Sequence, residues 1–207
     1  MDWNKHPEIE GRHAFLSPSK STWLRKSDDE IAENYISSYA QQIGTLVHAY
    51  AADRIKYRYE IADADARTLK FELVRQSIPE IAIDMDYIFP TVQRYINDSI
   101  ACGMDPEVPL KYSDRCFGTA DAIQFRRKRL RIHDLKTGVS PAKIDQLMIY
   151  AALFFHEYSY KPESIHTELR IYQAGDILLC EPTAKEIREV MEIIMHEDQV
   201  IESLLVE

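Results

Sequence analysis

A predicted β-hairpin constrains the fold of this 207-residue chain more than any other feature. Residues 117–125 and 130–135 are rich in β-branched, aromatic and aliphatic side chains, and the basic segment Arg126–Arg129 separates them. A turn at the centre of that segment sets an antiparallel register in which Asp121 lies opposite Asp134. The sequence therefore predicts two carboxylates that face each other on neighbouring strands.

These facing carboxylates indicate a metal site. Like charges directly across a strand pair repel each other, and a divalent cation between them removes the repulsion. Side chains alternate between the two faces of a strand, so Lys136 lies on the same face as Asp134, within reach of a phosphate beside the metal. The alternative is that the two aspartates only form turns, as they commonly do near strand ends.

Two further pairs of residues are spaced so that each pair shares one face of a helix. Gly44 and His48 are four residues apart, so the glycine would allow a close approach to the sheet while the imidazole points toward the metal. Gln146 and Tyr150 have the same spacing, and both side chains can hydrogen-bond a phosphate or a base. Each pair also has a purely structural explanation. Gly44 could serve ordinary packing beside a partly buried His48. Gln146 could be solvated and Tyr150 could belong to the core.

Together these motifs resemble those of the PD-(D/E)XK nuclease superfamily, and most closely its RecB-like branch, which includes phage-encoded exonucleases. The resemblance rests on Gly118-Thr119-Ala120-Asp121, Asp134-Leu135-Lys136, Gln146 with Tyr150, and Gly44 with His48. It implies a metal site formed by His48, Asp121, Asp134 and the Leu135 carbonyl, with Mg²⁺ as the cofactor and Mn²⁺ able to substitute. It also implies that catalysis depends on Asp121, Asp134, Lys136, Gln146 and Tyr150.

Glu107 is an additional candidate ligand. In RecB-like relatives a strand ahead of the second motif often carries an extra acid, and Glu107 has that position at the start of residues 107–112, which alternate as a strand does. A glutamate that simply faces solvent is an equally good explanation.

The predicted fold class is α/β, with a restriction-endonuclease-like core in which helices flank a mixed central sheet, and with an N-terminal helical layer. We expect a single domain, in which residues 1–105 are mainly helical and residues 106–207 supply the sheet core and a C-terminal helix. One long helix is predicted from Ser27 to about Tyr59, and another is predicted to begin at Ser140-Pro141.

Charge, hydropathy and cysteine content bear on the expected partners, cellular location and cofactors. The net charge of -9 means that the protein as a whole does not attract nucleic acid. The basic segment Arg126–Arg129 lies far from Asp134 on the hairpin. We expect this segment to be solvated or to contact distant DNA. No segment is apolar for long enough to cross a bilayer, and the first residues lack the features of a signal peptide, so we expect a cytoplasmic protein, in a host cell if it is phage-encoded. The three cysteines lack paired spacing, so we expect no iron-sulfur cluster of the kind that some RecB-like relatives carry (Cys102, Cys116, Cys180).

The resemblance implies a metal-dependent deoxyribonuclease, an exonuclease rather than an endonuclease, acting in DNA repair, recombination or phage DNA processing. Its partners would be single-stranded DNA or duplex ends, with a helicase, recombinase or annealing protein and no membrane. Two alternatives stay open: a non-catalytic DNA-binding or assembly module on the same fold, and an endonuclease of the restriction type.

Overall fold

The computed structural model describes residues 4–205, in which four α-helices precede the first strand. These helices are α1 (Asp28–Ser37), α2 (Ala40–Lys56), α3 (Ala66–Arg75) and α4 (Met85–Cys102). The remaining elements are β1 (Asp105–Lys111), β2 (Phe117–Arg126), β3 (Arg129–Lys136), α5 (Asp145–Glu157), β4 (His166–Gln173), β5 (Asp176–Cys180) and α6 (Ala184–Leu205).

The five strands form one mixed sheet in the order β1-β2-β3-β4-β5. Strands β3 and β4 are parallel, and α5 makes the crossover between them, while the other neighbouring pairs are antiparallel. Helices cover both faces of the sheet. The predicted α/β class with a helix-flanked mixed sheet is therefore confirmed, and the architecture is consistent with a restriction-endonuclease-like core.

The β2-β3 hairpin has the register that the sequence predicts. Ala122 pairs with His133, and one further step in the same register brings Asp121 opposite Asp134. The turn residues Arg127 and Lys128 have φ values of 52° and 59°. Two consecutive residues with positive φ form the type I′ turn, whose twist matches that of the flanking strands.

Alternation of side chains along the central strands gives the sheet two apolar faces. On one face, α2, α3 and α4 pack with Ala122, Leu135 and Tyr172. On the other, α5 and α6 pack with Ile132 and Leu169. Hydrophobic burial on both faces fixes the sheet between the helices. Among residues 4–205, no helix combines the length and the apolar character that a membrane crossing requires.

One predicted helix is interrupted, and another begins later than predicted. The helix expected from Ser27 to about Tyr59 is interrupted, because the Ser38 hydroxyl donates to the Tyr35 carbonyl at 2.6 Å and competes with the helical hydrogen bonds there. The helix expected at Ser140-Pro141 begins only at Asp145.

Gln173 explains the late start of α5. Its side-chain amide donates to the Gly138 and Ser140 carbonyls at 2.6 and 2.8 Å, and its carbonyl accepts from the Ala142 amide at 2.9 Å. These bonds satisfy the loop backbone without helical pairing, so the loop stays irregular as far as residue 143.

Candidate metal centre

Asp121 lies at the centre of a polar cluster near one end of the sheet. Its Oδ2 accepts a hydrogen bond from the Leu135 amide at 2.9 Å and lies 3.4 Å from His48 Nδ1 on α2. Gly44, one helical turn before His48, lies so close to the end of β3 that a Cβ there would be 3.2 Å from Thr137 Oγ1. The small residue thus lets α2 bring the imidazole to the carboxylate.

Glu107 joins this cluster from the neighbouring strand. One ligand atom from each of Glu107, His48 and Asp121 lies within 4.8 Å of the other two. The β1-β2 register, in which Pro106 pairs with Ala122 and Val108 with Ala120, brings Glu107 opposite Asp121. Glu107 also has a φ of 52°, a conformation that costs free energy in a glutamate and is concentrated at functional positions.

A chain of hydrogen bonds links the second aspartate to α5. Lys136 Nζ lies 3.0 Å from Asp134 Oδ1 and 2.9 Å from Gln146 Oε1, and Gln146 Nε2 donates to the Tyr150 hydroxyl at 3.3 Å. A Cβ at Gly118 would be only 2.9 Å from Tyr150 Cε1, so the ring lies directly against the β2 backbone. The structure therefore brings together all three side chains that the sequence proposed beside Asp134.

Burial and charge repulsion perturb the acids of the centre. Burial, followed by the charge of Asp121, raises the pKa of Asp134 to about 6, against the opposing effect of Lys136. Burial and the charge of Asp121 also raise the pKa of Glu107. Burial disfavours the protonated imidazole of His48, but the hydrogen bond and charge of Asp121 outweigh it and raise the His48 pKa.

The donor set fits a hard divalent cation with one nitrogen ligand. Carboxylate oxygens suit Mg²⁺ and Mn²⁺, and an imidazole is better tolerated by Mn²⁺. Asp134 Oδ2 is buried and lies 2.9 Å from Lys136 Nζ, yet within residues 4–205 it accepts no hydrogen bond of acceptable geometry. A cation would give this oxygen a partner and reduce the repulsion that raises the Asp134 pKa. The Leu135 carbonyl stays a predicted ligand.

Residues 13–175 match the family described as "Protein of unknown function (DUF2800)". The chain belongs to this family. The matched range includes every residue of the candidate metal centre and of the Lys136-Tyr150 chain. No solved structure matches the chain.

This DUF2800 chain contains a second group of metal-ligand side chains, which the sequence did not indicate. His166, Glu168 and Glu181 also place ligand atoms within 4.8 Å of one another. Glu168 is buried, however, and its Oε1 lies 2.9 Å from Arg170 Nη2 and 3.4 Å from Arg131 Nε. Two guanidinium groups already offset the Glu168 charge, so the electrostatic case for a cation is weaker here than at Asp121.

Two glycines near the acidic motifs have different surroundings. Gly118 lies within β2 and accommodates the Tyr150 ring. A Cβ at Gly138 would meet nothing within 4 Å, so steric need does not explain that glycine. Only long-range packing reveals this distinction, since both glycines flank the acidic motifs in the same way along the chain.

Proposed function

We propose that this DUF2800 chain is a metal-dependent deoxyribonuclease of the PD-(D/E)XK type, related to the RecB-like exonucleases. The observation that carries the proposal is the convergence of His48, Glu107 and Asp121 beside the Asp134-Lys136 pair. Such a combination of carboxylates, an imidazole and an ammonium suits phosphodiester hydrolysis, in which negative charge grows on the phosphate.

His48, Glu107, Asp121, Asp134 and the Leu135 carbonyl would hold Mg²⁺ or Mn²⁺. The bound cation would supply Lewis acidity toward the phosphate and lower the pKa of a bound water. The Leu135 amide keeps Asp121 oriented by its 2.9 Å hydrogen bond, so the carboxylate needs little reorganisation on binding.

Lys136 is the residue that would act directly on the phosphate or the attacking water. Its ammonium lies between Asp134 and Gln146, and its side chain is 31% exposed, so it combines a fixed position with access to substrate. Gln146 and Tyr150 hold the lysine from α5 and present further hydrogen-bonding groups. The products would be a 5′-phosphate and a 3′-hydroxyl.

DNA is the proposed substrate, as single strands or duplex ends. The net charge of -9 means that a partner such as a helicase, recombinase or annealing protein would help to hold the enzyme on DNA. Activity would serve DNA repair, recombination or phage DNA processing in the cytoplasm.

Degradation of end-labelled linear DNA tests the proposal. Wild type is compared with Asp134→Ala and Lys136→Ala in Mg²⁺, Mn²⁺ or EDTA, on single-stranded and duplex substrates. Asp105→Ala is the matched control, because Asp105 lies on the same strand as Glu107 but is exposed and pairs only with Arg58 among the described residues. We expect metal-dependent degradation by wild type and the control, and none by the two site variants.

The label pattern and a circular substrate separate the remaining functions. Stepwise release from an end supports an exonuclease, whereas cleavage of closed circular DNA supports an endonuclease of the restriction type. Intact substrates in every metal, together with retained DNA binding, would refute the catalytic proposal in favour of a non-catalytic module.

A further inference from the structure

A groove rich in arginine lies at the other end of the β2-β3 hairpin from the metal centre. It has a volume of about 480 Å³ and is lined by Arg126, Arg127, Arg129 and Arg131 together with Gln124 and Cys102. We call it the arginine groove. Its strand residues face the side of the sheet that carries α4, because Gln124 Nε2 donates to the Cys102 carbonyl at the end of that helix at 2.8 Å.

The arginine groove concentrates positive charge without enough acid to balance it. Arg131 is offset by the buried Glu168, which Arg170 also contacts. By contrast, Arg126, Arg127 and Arg129 take part in no ion pair within residues 4–205. Three guanidinium groups are thus left for an external anion on a chain whose overall charge is -9.

Two of these guanidinium groups oppose each other directly. Arg126 and Arg129 are cross-strand partners next to the turn. Like charges in that position destabilise a strand pair, and a bound anion would reverse the effect. The situation mirrors the metal centre at the other end of the hairpin, where facing carboxylates call for a cation.

The chemistry of the lining suits a phosphate group. Arginine binds phosphate, as it binds carboxylate, through two parallel hydrogen bonds. The Cys102 carbonyl oxygen would repel an anion, but it already accepts a hydrogen bond from the Gln124 side-chain amide. The described lining contains no aromatic ring on which a base could stack, so recognition would involve the backbone of a nucleic acid rather than its bases.

The groove is separate from the metal centre. Arg129 and Asp134 are five residue steps apart along β3, a distance of about 17 Å at about 3.3 Å per step. The same length corresponds to about five base pairs of duplex at about 3.4 Å per step. Along β3 itself, Asp134 at an even position and Arg129 at an odd one point to opposite faces of the sheet.

We infer that the arginine groove binds the phosphate backbone of DNA several nucleotides away from the scissile phosphate. The choice of DNA as the anion rests on the proposed nuclease function. The groove would hold flanking DNA while the metal centre cuts, which explains how an acidic protein keeps hold of an acidic polymer.

Salt-dependent DNA binding in EDTA tests the inference without cleavage. The probe is a short fluorescein-labelled duplex, followed by fluorescence anisotropy at several salt concentrations. The groove variant is Arg126→Gln with Arg129→Gln. The matched control is Lys70→Gln with Arg75→Gln, which removes the same charge from α3, outside the groove.

Each lost arginine-phosphate contact lowers the slope of log affinity against log salt by about 0.9, so the double groove variant should lose about 2. Its Kd at about 50 mM salt should rise at least tenfold, while the control stays near wild type. Without DNA the groove variant should melt no lower than wild type, because a cross-strand repulsion is removed. The single variant Arg129→Gln should lose about half as much slope.

The inference is overturned if the groove variant binds DNA with the slope and Kd of the control, or if wild type binds no DNA at low salt. Mg²⁺-dependent cleavage, measured in parallel with Asp134→Ala, keeps the two proposals distinguishable. Cleavage by wild type with unchanged binding by the groove variant rejects the groove alone. Absence of cleavage with weakened binding by the groove variant rejects the nuclease alone.

Discussion

The buried Asp134 carboxylate should lower the free energy of unfolding at neutral pH. Asp134 is 1% exposed, and burial with the charge of Asp121 raises its pKa to about 6 from an ordinary 3.8. The folded state therefore holds this proton more tightly than the unfolded state. The resulting stabilisation is complete below about pH 4 and is lost as the pH rises through about 6. Roughly two pKa units correspond to about 3 kcal/mol of penalty at neutral pH.

Replacement of Asp134 by asparagine should remove that penalty, since the amide resembles the protonated carboxyl group in shape. We expect Asp134→Asn to raise the free energy of unfolding by about 1–3 kcal/mol near pH 7.5 in EDTA, and by about 1 kcal/mol or less near pH 4.5. Urea unfolding at the two pH values measures both differences. Added Mg²⁺ should stabilise wild type more than the variant, because the variant has lost a ligand.

The control for this experiment is Asp105→Asn, which changes an exposed aspartate on β1 and should alter stability by less than about 0.5 kcal/mol. A less stable Asp134→Asn protein at both pH values would refute the reasoning. It would mean that the ion pair with Lys136 stabilises the fold by more than the buried charge costs.

Urea unfolding also measures the effects of substitutions at Gly118, at His133 and at the start of α6. Gly118→Ala should cost about 1–3 kcal/mol, because its methyl group would meet the Tyr150 ring, whereas Gly138→Ala should show no such steric cost; equal losses would contradict this. Burial and then the nearby arginines lower the pKa of His133 to about 3, so the stabilising contribution of its neutral imidazole falls by about 2 kcal/mol between about pH 6.5 and 5, while protonation of Asp134 offsets part of this loss in wild type and variant alike. The stability of His133→Gln relative to wild type should therefore rise by about 2 kcal/mol over that range; parallel pH profiles would contradict this. Thr183→Ala should cost about 1 kcal/mol, because the hydroxyl accepts from the Glu186 amide at the start of α6, and an unchanged midpoint would show that this cap is dispensable.

Local pattern was sufficient to predict the hairpin and the two helix-face pairs. Strand alternation and a two-residue turn fix the pairing of Ile123 with Ile132, and this pairing alone aligns the two aspartates. The final helix could also be predicted from local sequence, because Thr183 and Glu186 have the spacing of a capping box and form its reciprocal hydrogen bonds. In each case the information lies within a few residues of the feature.

Long-range contacts determine three features that local sequence patterns do not predict. The start of α5 depends on Gln173, which hydrogen-bonds the backbone of loop residues more than thirty positions earlier in the chain. The approach of Glu107 to Asp121 depends on the β1-β2 register and on an unusual φ, neither of which a periodic pattern encodes. The Tyr150 ring against Gly118 likewise appears only when α5 packs on the sheet.

We propose that the Asp121-Asp134 centre cuts DNA with a divalent metal. The most direct measurement is the initial rate of nucleotide release from end-labelled linear DNA by wild type, Asp134→Ala and Asp105→Ala. We predict release that requires Mg²⁺ or Mn²⁺, stops in EDTA, falls by at least about a thousandfold in Asp134→Ala and persists in the Asp105→Ala control. Release that continues in EDTA, or that Asp134→Ala leaves unchanged, would contradict the assignment of this centre.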